Sequence, residues 1–293
     1  MLHQRRGWGR HDVAGIALSH DRLIAEINAT ELVDGKAAFW WLGQLSFVVK
    51  VGPTVIYLDP YLAENPARRT PPLLRPEEVT NAWLCTGSHD HGDHIDPESL
   101  PGIAAASPDC KFVVPNPHVE RVIGLGCDPE SVIGLRPEET AVVAGVKVTA
   151  VKARHETFDE TDLGFPHLGY VLEADDVCFY HAGDTLVYEG LLTTLSQYDL
   201  DAMFLPINGR DATRFRAGCL GNMTYQEAVD LAGDVQPQLV VPAHYDMFAN
   251  NSADPEAFAD YLDARYPGLP CWIGPPGEKV IFGGPWSQND RPA

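Results

Sequence analysis

Ser88-His89-Asp90-His91-Gly92-Asp93-His94 packs three imidazoles and two carboxylates into six residues, from His89 to His94, directly after the apolar run Ala82 to Cys85. Imidazole is the commonest metal ligand and carboxylate the natural companion of a hard divalent ion, so an H-x-H-x-D-H string predicts a metal site. His89 and His91 alternate to one side of an extended segment, while Asp93 and His94 lie beyond a turn at Gly92. These are two half-shells, and they suit two ions better than one. Neither shell closes with local ligands, which constrains the fold: it must carry distant side chains to this point.

The downstream chain offers three such side chains. His155 follows the alternating run Val146 to Val151, Asp184 follows Val177 to Tyr180 within His-Ala-Gly-Asp-Thr, and His244 follows Leu239 to Val241. Each lies just past an expected strand, where a sheet projects residues into a shared site. Any one of them alone also reads as a turn residue or helix cap; it is the set that points to metal.

The remaining pattern supplies the frame. Ala38 to Leu42, Leu45 to Val51 and Thr54 to Leu58 are apolar and β-branched runs parted by Gly43 and Gly52-Pro53, a strand meander. Lys111 to Val114, Leu168 to Leu172 and Ala202 to Leu205 add strands to those already named. Helices are expected over Ser19 to Leu32, Pro97 to Ala106, Pro117 to Leu125, Tyr188 to Ser196, Tyr225 to Gly233 and Pro255 to Arg265. Strands in runs with helices in alternation imply an α/β fold of two mixed sheets covered by helices on their outer faces. The proline- and arginine-rich stretch Arg68 to Pro76 reads as a loop toward the site. The division expected is a helical extension over 1–35, a catalytic domain over 36–285 and a polar tail over 286–293.

A formal net charge of −20 argues against a nucleic-acid partner, because phosphate backbones are bound by a surplus of lysine and arginine. The six cysteines show no C-x-x-C pairing and read as free thiols, mostly buried. No apolar stretch has signal-peptide or membrane-spanning length, so the expectation is a cytoplasmic protein without a membrane partner. Association into a homo-oligomer stays open. Against the acidic background, Asn208 to Arg216 carries Arg210, Arg214 and Arg216. They read either as a grip on a substrate phosphate or carboxylate or as a solvated loop paired with surface acids. Tyr245, beside His244, either donates to an oxyanion or packs. His167 and His181 read as supporting or core residues, and His3, His11, His20 and His118 carry no pattern.

Taken in order, His89, His91, Asp93, His94, His155, Asp184 and His244 resemble the ligand series of the metallo-β-lactamase superfamily of hydrolases. Gly183-Asp184 resembles its later glycine-aspartate turn, and Asp59, ending Thr54 to Leu58, its early supporting aspartate. The segments Trp40-Trp41-Leu42-Gly43, His89 to Asp96, Tyr180 to Asp184 and Val241 to Asp246 are similar to those of the L-ascorbate-6-phosphate lactonase group, although the lactonase itself is longer and has an aspartate near the position of His155. The resemblance covers residues 38 to 265 or so. It implies an αββα four-layer sandwich and two divalent ions, zinc or manganese: one on His89, His91 and His155, the other on Asp93, His94 and His244, with Asp184 bridging. Asp59 would hold a ligand histidine by its other ring nitrogen. A hydroxide shared by the ions would be the nucleophile, with Asp93, Asp184 and His244 as the catalytic set. The substrate implied is a lactone or ester of a small, anionic, sugar-derived acid. A phosphodiesterase is the rival chemistry, and a binding protein stabilised by metal the non-enzymatic one.

Overall fold

The computed structural model describes residues 20–155, 158 and 160–285. A seven-stranded sheet runs in the order β13 (Lys279–Phe282), β1 (Ala37–Gly43), β2 (Ser46–Val51), β3 (Thr54–Leu58), β4 (Leu84–Thr86), β5 (Lys111–Pro115), β6 (Val132–Leu135). Its first four strands pair antiparallel and the rest parallel. The six-stranded sheet runs β12 (Leu239–Ala243), β11 (Ala202–Pro206), β10 (Val177–His181), β9 (Leu168–Ala174), β8 (Val146–Lys152), β7 (Thr140–Val143). It is parallel across β12, β11 and β10 and antiparallel beyond.

Strand periodicity explains the layering, because successive residues face opposite sides. Phe39, Trp41, Phe47, Val49, Ile56, Leu58 and Val113 point toward the second sheet and join Val148, Tyr170, Leu172 and Phe204 in one core. There Phe204 packs edge-on to Phe39 at 5.3 Å and tilted against Phe47 at 4.5 Å. The intervening residues Ala38, Trp40, Val48, Tyr57, Phe112 and Val114 face outward onto Leu23 and Ile27 of α1 (His20–Ala29), Leu100 and Ile103 of α2 (Ser99–Ala106) and Val122 of α3 (Val119–Gly124). The second sheet is covered by α4 (Leu191–Leu195), α6 (Tyr225–Val235) and α7 (Pro255–Arg265). The result is the αββα sandwich expected from the sequence. Because both faces of the first sheet are covered, β1, β2 and β3 are buried throughout and read as continuous apolar runs.

Several elements differ from the sequence expectation. β6, β7 and β13 are extra strands, short and partly exposed at sheet edges, where little apolar burial marks them. The expected helix Tyr188 to Ser196 is only Leu191–Leu195, and Pro117 to Leu125 begins as a 3-10 turn over Asn116–His118. A short helix, α5 (Ala212–Arg216), occupies the arginine-rich loop. Ser19, His3, His11 and residues 286–293 lie outside the described residues. Among the described residues no cysteines are disulfide-bonded; Cys85, Cys110 and Cys127 are buried, whereas Cys178, Cys219 and Cys271 are only partly so. No described helix is long and apolar enough to cross a membrane.

Candidate metal centre

Strand ends of both sheets meet at one rim of the sandwich. β1 delivers Gln44, β3 delivers Asp59 and β4 leads into His89 to His94. From the other sheet β8 leads to His155, β10 to Asp184 and β12 to His244. His94 N and Ile95 N both donate to His91 O, at 3.0 and 2.9 Å, and this turn folds Asp93 and His94 back beside His89. Gly92 keeps a negative φ and would have room for a side chain, so the turn does not depend on glycine. Gly183 is different. Its φ is +59°, and a Cβ there would lie 2.7 Å from both Leu168 O and Ser88 Cβ, so only glycine lets the Asp184 turn approach the cluster.

Two groups of ligand-type atoms converge: His89, His91, His155 and Asp184 in one, Asp93, His94 and His244 in the other, all atoms of a group within 4.8 Å of each other. Asp184 joins the two. Its Oδ2 lies 3.7 Å from His155 Nε2, while its Oδ1 lies 3.4 Å from His94 Nε2 and 3.3 Å from His244 Nε2. These contacts lack hydrogen-bond geometry: His94 Nε2, both ring nitrogens of His155 and Asp184 Oδ1 are buried with no hydrogen-bond partner. Leaving such atoms unpaired costs about 1–3 kcal/mol each. Nitrogen and carboxylate donors facing a common space, unsatisfied by protein, fit divalent cations.

The electrostatics agree. Burial alone would lower His94, yet the Asp184 and Asp93 carboxylates and the hydrogen bond to Asp59 raise it to about 10. Against the same burial penalty, Asp184 and Asp93 raise His244. Burial would raise Asp184, but the imidazoles of His244 and His94 hold it well below the usual carboxylate range. Burial, reinforced by the charge of His94, pushes His89 well down, and burial lowers His155. The Asp184 and Asp93 carboxylates thus favour the charged form of both His94 and His244.

Supporting residues set the ring orientations. Asp59, fully buried, accepts from His94 Nδ1 at 2.6 Å, from Ser88 Oγ at 2.5 Å and from Ser88 N at 3.0 Å. This turns His94 Nε2 inward. Ser88 Oγ also sits 3.0 Å from His89 Nδ1. Neither Ser88 nor Gln44 was assigned a role from the sequence. Gln44 Nε2 donates to Asp93 Oδ2 at 2.6 Å and lies 3.2 Å from His244 Nε2, while Gln44 O accepts from His244 N at 2.8 Å. An uncharged side chain at a strand turn carries no local signal of this kind; only its positive φ of 52° sets it apart, and that is a structural property.

The other candidates fall away from the cluster or beside it. His181 Nε2 donates to Leu45 O at 2.9 Å, and the His167 ring lies 5.4 Å from that of His89. His118 Nε2 donates to Pro166 O. The Tyr245 ring packs against Trp41 at 5.1 Å. Arg210 forks onto Glu227 at 2.6 and 2.7 Å, Arg214 pairs with Asp211 at 2.6 Å, and Arg216 is exposed.

Residues 38–244 match the model of the β-lactamase superfamily domain. The chain is similar to a UPF0173 metal-dependent hydrolase of Thermococcus onnurineus, 34% identical over 74% of this chain and 88% of that one. It is also similar to the UPF0173 metal-dependent hydrolase of Pyrococcus horikoshii, 31% identical over the same shares of each chain. The solved structure of Igni18, a metallo hydrolase from the archaeon Ignicoccus hospitalis, shares the fold with a TM-score of 0.69 at 24% identity, covering 85% of this chain and all of that one. With a His/Asp cluster able to bind metal at the rim where both sheets end, the chain belongs to the β-lactamase superfamily and, within it, to the UPF0173 metal-dependent hydrolases.

Proposed function

We propose that this hydrolase cleaves an ester or lactone bond of a small molecule with two divalent ions, zinc or manganese. His89, His91 and His155 would hold one, Asp93, His94 and His244 the other, with Asp184 shared. The observation that carries this reading is the orientation of Asp184, which turns Oδ2 to His155 and Oδ1 to His94 and His244. One carboxylate thereby faces both groups, as a bridging ligand must. Ions bound there would bring the pKa of a water toward neutrality and polarise the bond under attack.

The chain supplies orientation and proton handling. Asp59 accepts from His94 Nδ1 and so leaves Nε2 to ligate, and Ser88 Oγ, 3.0 Å from His89 Nδ1, orients that ring. Asp93 has a side chain 23% exposed, whereas Asp184 is at 5% and His94 at 0%, so Asp93 is the carboxylate of the set most open to an entering substrate. Gln44 holds its Oδ2, and in this reading Asp93 orients the attacking water. The ester or lactone assignment follows the similarity of the four segments named above to the lactonase group. That similarity also suggests a sugar-derived acid, although Arg210 and Arg214 already direct several of their donors to groups within the protein.

The test is a hydrolysis panel of lactones, p-nitrophenyl acetate and bis(p-nitrophenyl) phosphate on protein of measured metal content. Metal-dependent turnover of the first two, lost in Asp184→Ala with circular dichroism unchanged, is expected. Turnover of the phosphodiester alone would reassign the chemistry. A single bound ion with Asp184→Ala fully active would remove the two-ion scheme.

A further inference from the structure

The arginine-rich segment folds into a fixed wall beside the candidate metal centre. Gly209 N donates to Met223 O at 3.0 Å, Asn222 N to Gly209 O at 3.2 Å, and Met223 N to Thr185 O at 3.0 Å, one residue past Asp184. Asp211 caps α5 by accepting from Thr213 N and Arg214 N. Arg210 adds a bond to Asn222 O at 3.1 Å to its fork on Glu227, and Arg214 adds one to Asn208 O at 2.7 Å. Glu227 is itself committed to the start of α6, where it accepts from Thr224 N at 2.9 Å. Arg210 thus commits its fork to Glu227, and Arg214 commits Nε to Asp211 and Nη1 to Asn208 O. These two arginines brace the loop.

What the braced loop presents is apolar. Phe215 is 68% exposed on this tethered segment. With Leu186, Ala212, Cys219 and Leu220 it lines an open, mainly apolar cleft of about 400 Å³ that His155 also borders and to which Arg210 and Asp211 contribute the charged edge. That volume lies in the range of small-molecule sites, roughly 300–1,000 Å³, and exceeds the space a phenyl group needs. We infer that this cavity receives an apolar group of the substrate, aryl or branched alkyl, with the scissile bond lying past His155 over the metal ligands, and that Phe215 is a specificity-determining residue. The inference rests on the hydrolase reading for the position of the bond, but the cavity's preference is open to test without turnover.

Two measurements separate the ideas. Saturation-transfer NMR compares 4-phenylbutanol with 1,4-butanediol on the metal-loaded and the metal-free protein. The phenyl protons should receive saturation in both forms, and Phe215→Asp or Leu220→Asp should abolish it. On the metal-loaded protein, kcat/KM for p-nitrophenyl acetate, butyrate and hexanoate should rise by about fourfold per methylene that enters the cavity, and Phe215→Asp should flatten that slope. Phenyl saturation seen in the native protein and abolished in both variants, without any ester turnover, supports the cavity and sinks the ester and lactone reading. Turnover with a flat chain-length dependence and no phenyl saturation overturns the cavity alone. A tenfold or greater fall for p-nitrophenyl hemisuccinate in Arg210→Ala or Arg214→Ala, with the Phe215 and Leu220 variants silent, overturns it in favour of an anion site.

Discussion

Replacing Asp59 by asparagine isolates the contribution of a residue that touches no candidate ligand atom facing the site. Asparagine preserves volume and tolerates the left-handed backbone at Asp59, φ 43°. The native carboxylate accepts three hydrogen bonds: His94 Nδ1 and Ser88 Oγ on Oδ2, Ser88 N on Oδ1. An amide has one oxygen. If it keeps His94 and the serine hydroxyl, its NH₂ meets the N–H of Ser88, donor against donor; if it keeps Ser88 N, His94 loses its acceptor. Either way a buried donor goes unpaired at a cost of about 1–3 kcal/mol, and the tautomer of His94 is no longer fixed. Loss of such a partner lowers metal affinity by roughly 10- to 100-fold, about 1.4–2.8 kcal/mol. The group formed by Asp93, His94 and His244 should weaken by that amount, and the group of His89, His91 and His155 much less. Competition with a chelator, followed by cobalt absorption, resolves the two affinities. Both affinities at wild-type values, or an equal loss at each, would refute the idea that Asp59 acts through His94.

The metal-free protein should lose stability as pH rises. His94 is raised to about 10, so its contribution is complete below the ordinary histidine value of about 6.5 and disappears as pH climbs through about 10. The melting temperature of chelated protein should therefore fall across that window while that of metal-loaded protein falls less; parallel curves would contradict this. Metal binding at pH 7 should expel a proton from His94, seen as a calorimetric enthalpy that depends on the buffer. Asp184→Ala and His91→Ala should abolish turnover with the circular dichroism preserved, and near wild-type activity in either would count against the ligand sets. Gly183→Ala should lower stability to urea by at least about 1–3 kcal/mol from its positive φ alone, more if Leu168 and Ser88 cannot yield; an unchanged midpoint would mean that the turn relaxes freely.

The H-x-H-x-D-H string was legible because its ligands are local: spacing alone put imidazole and carboxylate together, and the apolar run before it marked the strand end. His155, Asp184 and His244 were legible for a related reason, since each follows a run whose alternation or apolarity announces a strand. The sandwich followed from those same runs. What the one-dimensional pattern lacked was any record of which distant atoms meet. Gln44 is an ordinary polar residue until β1 sets it between Asp93 and His244. The three arginines read equally as an anion grip or as a loop paired with surface acids until α6 brings Glu227 to Arg210, 17 residues on. β6, β7 and β13 were missed because each is only 4 residues long, too short for an apolar run to show a strand period. Residue types and their local spacing determined that this chain builds a sheet-end cluster of imidazoles and carboxylates able to bind metal. Only the tertiary structure decided that Asp184 faces both groups, which histidine Asp59 orients and where the apolar wall stands, because these depend on directions and distances between strands far apart in the chain.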